Sequence, residues 1–149
     1  MKIQLLENGQ MPVRATPGSA GLDLRSVTQA YLGPGQRKLV SCGVRVRIPL
    51  NCVGLVCPRS GLAAKHGVTV LNAPGIIDSD YRGEVHALLF NSTANMVKIE
   101  AGDRIAQLVI VPYLTPTLEQ VSTEEEFLHE DPFVDNQRGT KGFGHSGMK

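Results

Sequence analysis

The sequence predicts an all-β domain, either a barrel or a sandwich, and three observations carry that reading. Apolar residues alternate with polar ones at a period of two, most clearly where Val44, Val46 and Ile48 interleave with Arg45 and Arg47. Sixteen glycines and nine prolines recur at short intervals and interrupt any long helical pattern. Neither a sequence repeat nor an alternation of strands with long helices is present, which excludes solenoids and parallel α/β folds.

Further short apolar runs extend the strand pattern over Val53 to Cys57, Val68 to Leu71, Val85 to Phe90 and Ile105 to Val111. One helix is expected, from Ser60 to His66, because Leu62, Ala63, Ala64 and Lys65 are good helix formers and Ser60 suits an N-cap. After Pro116 the apolar rhythm fades into an acidic stretch. From Arg138 a twelve-residue tail contains Gly139, Gly142, Gly144 and Gly147, a composition that cannot pack alone and is expected to be mobile until something binds it. The expected organisation is therefore a β-barrel domain over residues 1–137 and a flexible arm over 138–149.

A chain of 149 residues with 42% hydrophobic residues makes one ordinary globular domain. At this size roughly 68–70% of the unfolded surface is buried, so neither disulfides nor a structural metal is required. No apolar stretch approaches the ~20 residues of a membrane helix, and the N-terminus lacks a signal-peptide pattern, so a cytoplasmic protein without membrane contact is expected. The net charge of +1 conceals an asymmetry: residues 1–65 carry nine basic and two acidic side chains, whereas residues 119–135 carry seven acids and no Lys or Arg. The basic charges are spread among strands without interleaved aromatics, which argues against nucleic-acid binding and leaves small anions as partners. Cys42, Cys52 and Cys57 have no zinc-type spacing, and His66, His86, His129 and His145 are scattered, so these residues read as buried thiols and surface imidazoles.

Five segments carry chemistry. Pro58, Arg59, Ser60 and Gly61 bring an arginine fork, a hydroxyl and free N–H groups to a helix start, an arrangement suited to an anion or to a plain helix cap. The run from Asn72 to Glu84 lies between two strands and reads as a β-hairpin with a functional loop. Its Asp78 to Gly83 stretch mimics the start of a calcium loop, but Arg82 replaces a ligand and Leu89 stands where the closing Glu belongs. An Asp78 carboxylate whose solvation is set by apolar Ile76 and Ile77 would hold a water as general base; turn formation is the competing role of Asp78 and Asp80. Asn72 would read a base edge and Tyr81 would press on a sugar. Pro17 to Leu24 leaves Asp23 as a lone acid amid bases, inviting an ion pair or a cation. Arg104 to Leu108 opens a strand. The tail matches G-x-G-x-x-G from Gly142 to Gly147, but only Met148 and Lys149 follow, so a dinucleotide fold is excluded and a phosphate-wrapping ribbon with Phe143 over a base remains.

Together and in this order, the five segments resemble the deoxyuridine triphosphate nucleotidohydrolase (dUTPase) family of the homotrimeric type, over residues 15–147. The resemblance implies a jelly-roll-like β-barrel of the β-clip class, a homotrimer with active sites shared between subunits, and hydrolysis of dUTP to dUMP and diphosphate with Mg²⁺. It implies that Asp78 deprotonates the attacking water, that Tyr81 lies under the deoxyribose, and that Asn72, Gly75, Ile76 and Ile77 hold uracil. Arg59, Ser60 and Gly61 would grip the phosphates, Gln107 would orient phosphate and water, and Asp23 would reach Mg²⁺ through water. A neighbour's arm would close the site with Arg138, Gly144, His145 and Ser146 on the γ-phosphate and Phe143 over uracil. His86 is a further candidate nucleotide contact. Lys141 and the His145–Ser146 pair depart from the usual last signature.

Two other classes compete. The dCTP deaminases resemble this fold but use a glutamate on the strand after the hairpin, where Leu88 stands here. A non-enzymatic, nucleotide-responsive interaction protein would use the trimer surface and the arm.

Overall fold

In the computed structural model, residues 1–123 and 127 are described. Eleven strands and one helix are formed among them: β1 (Lys2–Leu5), β2 (Leu22–Arg25), β3 (Ala30–Leu32), β4 (Arg37–Ser41), β5 (Val44–Arg47), β6 (Cys52–Cys57), α1 (Ser60–His66), β7 (Val68–Val70), β8 (Gly75–Ile77), β9 (His86–Asn91), β10 (Val97–Ile99) and β11 (Arg104–Pro112). All of them lie in a compact unit, Met1–Leu114. In a second unit, Thr115–Lys149, the Phe127 amide donates to the Thr123 carbonyl at 3.2 Å. No helix among the described residues is long and apolar enough to cross a membrane.

Every strand pair is antiparallel. The largest sheet has the order β2-β11-β6-β8, a second has β4-β9-β7, and two ribbons pair β1 with β5 and β10 with β3. Strand alternation produces the core. Val44 and Val46 turn inward while Arg45 and Arg47 face solvent, and on β9 Ala87, Leu89 and Asn91 turn inward. Leu24, Leu32, Ile99, Ile105 and Leu108 fill the space between the sheets, each contributing about 1.5–3 kcal/mol by burial. On β11 a register shift between Arg104 and Ala106 lets Ile105 and Ala106 both be buried, which strict alternation forbids.

Among the described residues Asn91 is the one fully buried side-chain amide. Its Nδ2 donates to the carbonyls of Leu32, Gly33 and Asn95 at 2.8–3.1 Å, and its Oδ1 accepts from the Thr93 amide and hydroxyl.

The helix occupies the expected residues but starts differently. Arg59, extended at φ −95° and ψ 126°, is the N-cap, and no side chain caps the helix, so Ser60 is its first residue and not its cap. Gly67 closes it at φ 60°, its amide reaching the carbonyls of Leu62 and Ala63, with Lys65 and His66 in the last turn where cations suit the helix dipole. The expected hairpin is also modified. β7 and β9 do pair, Val70 opposite Leu89, but between them Gly75–Ile77 crosses to the other sheet and pairs with Val56, Leu55 and Gly54 of β6. Burial of Gly75 and Ile77 on the inward face drives that excursion.

Candidate active site

The connection between β7 and β9 builds the first half of the site. Its strand β8 pins Gly75, Ile76 and Ile77 against β6, and the residues that follow turn back, with the Tyr81 amide donating to the Asp78 carbonyl at 3.1 Å. A pocket of about 340 Å³ opens here, lined by Asn72, Gly75, Ile76, Ile77, Asp78, Tyr81 and His86 together with Leu39, Val56, Glu84 and Val85. All seven expected residues of this segment are thus brought together. The Asn72 amide sits close enough to Gly75 that a Cβ there would lie 3.2 Å from its Nδ2. The side chains of Asn72 and Asp78 are exposed and take no hydrogen bond from the described residues. Ile76, 61% exposed, gives Asp78 an open flank, while Ile77 turns into the core. The carboxylate is therefore free to receive a ligand or water.

Tyr81 is fixed from below. Its hydroxyl donates to the Glu84 carbonyl at 3.0 Å, and its ring lies so close to Gly83 that a Cβ would fall 2.2 Å from Oη and 2.5 Å from Cζ. Glu84 ties this wall to the neighbouring strand: Oε1 accepts from the Ser41 hydroxyl and, at 3.0 Å, from the Gly43 amide. His86 lies across from it, Nε2 at 3.7 Å from Glu84 Oε2 and Nδ1 at 3.1 Å from the Glu84 carbonyl. Buried beneath, the Cys42 thiol is pushed up to about 12, first by burial and then by the Glu84 charge, against a smaller lowering by a backbone hydrogen bond from Ala87.

The second half lies where β2, β11 and the end of β6 meet. Asp23 and Cys57 both stand opposite Gln107 in register. A smaller pocket of about 190 Å³ is lined by Asp23, Arg59, Ser60, Gly61 and Gln107, with Ala15, Ser19 and Gly21. The Asp23 carboxylate accepts from Arg59 Nε at 3.0 Å on one oxygen and from Arg104 Nη1 at 3.2 Å on the other. Arg59 Nη1 also donates to the Arg104 carbonyl at 3.1 Å, so two of the three guanidinium nitrogens are anchored. Its Nη2 edge remains for a ligand. Gln107 donates to the Pro58 carbonyl at 2.9 Å, and its Oε1 occupies the space a Cβ on Gly21 would need, 2.2 Å away.

Arg104 and Glu84 are the residues sequence reasoning missed. The Arg104 side chain meets Asp23 only through the pairing of β11 with β2, and Glu84 meets Ser41 beside the pairing of β4 with β9. Arg138, Phe143, Gly144, His145 and Ser146 lie outside the described residues.

The residues present define what kind of Mg²⁺ they fit. Among the described residues no group of three His, Cys, Asp or Glu side chains converges. Both Asp23 oxygens already hold a guanidinium, leaving lone pairs suited to accept from metal-bound water and not a protein cage. This donor set fits a cation carried by phosphate oxygens and water.

Comparison with known proteins agrees with this geometry. The family described as dUTPase matches residues 7–147. The deoxyuridine 5'-triphosphate nucleotidohydrolase of Cutibacterium acnes is 45% identical over 139 residues, covering 93% of this chain and 86% of that protein. That of Clostridium novyi is 42% identical over 142 residues, covering 95% and 94%. A variant dUTPase of Staphylococcus bacteriophage 80alpha with dUpNHpp superposes with a TM-score of 0.84 at 32% identity, over 98% of this chain and 97% of that one. A variant dUTPase from phage phi11 of S. aureus, described as coordinating a structural Mg(II) ion, gives a TM-score of 0.77 at 30% identity over 83% and 97%. The fold is accordingly the jelly-roll β-clip of these enzymes, and the chain belongs to the dUTPase family.

Proposed function

We propose that this enzyme hydrolyses dUTP to dUMP and diphosphate with Mg²⁺, limiting uracil incorporation into DNA and supplying dUMP for dTMP synthesis in the cytoplasm. The observation that carries the reading is the pocket of about 340 Å³, in which the Asp78 carboxylate and the Asn72 amide, neither bonded to another described residue, stand beside a fixed ring, Tyr81.

In this reading the Asn72 amide and the backbone of Gly75, Ile76 and Ile77 hold uracil in a slot too narrow for a 5-methyl group. Tyr81, buttressed by Gly83, closes the space a 2′-hydroxyl would need. Asp78 holds a water and takes its proton as the oxygen attacks the α-phosphorus; the α–β bridging oxygen leaves with diphosphate. Arg59, Ser60, Gly61 and Gln107 bind the phosphates and offset charge that grows on the leaving group. Bound Mg²⁺ supplies further charge neutralisation on the phosphate chain, with Asp23 accepting from its water. Arg138, Gly144, His145 and Ser146 then close on the γ-phosphate and Phe143 on uracil, excluding bulk water. His86, paired with Glu84, lies in the wall of the base pocket.

The nucleoside-binding and phosphate-binding residues fall into two pockets that share no lining residue. That separation supports a homotrimer in which one subunit's Asp78 pocket works with another's Arg59 pocket and a third subunit's arm. Deamination of dCTP is disfavoured because Leu88 offers no acid or base.

The test is diphosphate release from dUTP, UTP, dTTP and dCTP with Mg²⁺ and with EDTA, alongside ammonia release from dCTP. Rapid release from dUTP alone, dependent on Mg²⁺, is expected. Ammonia from dCTP, or equal turnover of UTP, would refute the reading.

A further inference from the structure

Glu84 joins two sides of the Asp78 pocket, and the proposed reaction assigns it no step. Its carbonyl accepts from the Tyr81 hydroxyl at 3.0 Å and lies 3.1 Å from His86 Nδ1, which suits the tautomer with the proton on Nδ1. Its carboxylate reaches the turn between β4 and β5, where Oε1 accepts from the Ser41 hydroxyl and, at 3.0 Å, from the Gly43 amide. Both bonds are charge-assisted. The turn is a firm anchor. Gly43 stands at φ 65°, and its carbonyl accepts from the Leu6 amide at 2.8 Å. A Cβ on Gly43 would fall 2.3 Å from Val27 Cγ1 and 2.6 Å from Gly9 Cα, so neighbouring segments close tightly around it.

Tyr81 depends on this support. It is 43% exposed, so burial alone does not hold the ring, and among the described residues its hydroxyl bonds to the Glu84 carbonyl and to nothing else. The Glu84–Val85 peptide is fixed at its N–H end, where the Val85 amide donates to the Val44 carbonyl at 2.8 Å. At its other end the chain continues into Gly83, a residue with wide backbone freedom. Without the carboxylate tie the peptide can turn about the Val85 bond and carry its carbonyl away from the tyrosine. We propose that Glu84 is a positioning residue for sugar selection: its carboxylate, anchored on Ser41 and Gly43, holds the carbonyl on which the Tyr81 hydroxyl rests, and so fixes the ring where it excludes a 2′-hydroxyl. Glutamine keeps an oxygen for Ser41 and Gly43 but loses the charge, whereas alanine removes the tie. The inference deepens the dUTP reading and rests on it for the sugar; the tie itself belongs to the protein without ligand.

Full-length wild type, Glu84→Ala, Glu84→Gln, Ser41→Ala and the Ser41→Ala/Glu84→Ala double variant are compared by diphosphate release from dUTP and UTP with Mg²⁺. The dUTP preference in kcat/KM is expected to fall about tenfold in Glu84→Ala and about threefold in Ser41→Ala, the scale of lost hydrogen bonds to a charged group. Glu84→Gln is expected to recover part of the loss. The double variant is expected to match Glu84→Ala, since both changes cut one tie. A merely structural role would lower the melting temperature and slow both nucleotides alike. A preference unchanged in Glu84→Ala, or lost as fully in Glu84→Gln, overturns the proposal; if Glu84→Ala does not fold, an unchanged preference in Ser41→Ala does so. A readout without nucleotide accompanies these rates: fluorotyrosine labels the three tyrosines, and the fluorine resonance of Tyr81, assigned by its loss in Tyr81→Phe, is expected to shift in Glu84→Ala. An unmoved resonance also overturns the proposal. Equal turnover of dUTP and UTP by the wild type counts against the dUTP reading, and the resonance then decides the tie by itself.

Discussion

Asp23 fixes Arg59: the carboxylate on β2 accepts the guanidinium Nε–H at 3.0 Å, and Arg104 holds the other carboxylate oxygen at 3.2 Å. The Asp23 side chain is only 11% exposed, so the paired charges are partly shielded from water. A carboxylate between two arginines keeps the Arg59 fork in one orientation.

Loss of that clamp has a kinetic signature. Arg104→Gln is expected to raise KM for dUTP about tenfold with a smaller change in kcat, because it releases one Asp23 oxygen and so loosens the carboxylate that orients Arg59. Arg104→Lys restores a charge but not the fork, and recovers part of the loss. Steady-state diphosphate release checks both.

The Asp78 carboxylate accepts no bond from the described residues, so its replacement disturbs little packing. Asp78→Asn is expected to retain binding of a dUTP analogue and to lose about 10²–10⁴ in kcat, the range for a general base. Calorimetry with the analogue and single-turnover rates separate binding from chemistry. Near-normal turnover would remove Asp78 from its role.

Gly83 leaves no room for a side chain beneath Tyr81, its virtual Cβ lying 2.2 Å from Oη. Gly83→Ala therefore displaces the ring, and the dUTP over UTP preference in kcat/KM is expected to fall about tenfold or more, the scale set by one lost steric or polar discrimination. Side-by-side turnover of the two nucleotides measures it.

Cys42 holds its proton to about 12 in the folded chain, against 9.0 for an ordinary thiol. Between those values the native state keeps a proton that the unfolded chain has lost. Stability contributed by this group is complete below about pH 9 and falls above it, by as much as about 1 kcal/mol per pH unit. Urea melts at pH 8 and pH 10 are expected to differ less in Cys42→Ala than in wild type. Thiol reagents at neutral pH are expected to label half-exposed Cys52 and Cys57 and to spare Cys42.

Removal of the Asn91 amide takes a partner from the buried Leu32 carbonyl and the Thr93 amide, whereas the Gly33 carbonyl keeps the Gln36 amide and the exposed Asn95 carbonyl keeps the Thr93 hydroxyl. Asn91→Leu is expected to cost about 3 kcal/mol or more, read as a lower urea midpoint at unchanged slope.

The strands and the helix were legible locally because alternation and helix propensity act over neighbouring residues: Val44 to Ile48 announced β5, and Ser60 to His66 marked α1 to the residue. The segment from Asn72 to Tyr81, whose residues line one pocket, was likewise readable as a candidate site, since its polar groups are contiguous in the chain. What escaped was whatever depends on pairing between distant strands. The crossing of Gly75–Ile77 to β6, the bulge that buries both Ile105 and Ala106, and the meeting of Arg104 with Asp23 all join residues that no local pattern links. The sequence by itself determined the all-β class, the family and the groups able to do chemistry. Only the tertiary structure decided that Arg59 is clamped from two sides, that Tyr81 rests on Gly83, and that Glu84 reaches the turn between β4 and β5. Register sets those distances, and register is fixed by burial of one face of each strand against the whole core.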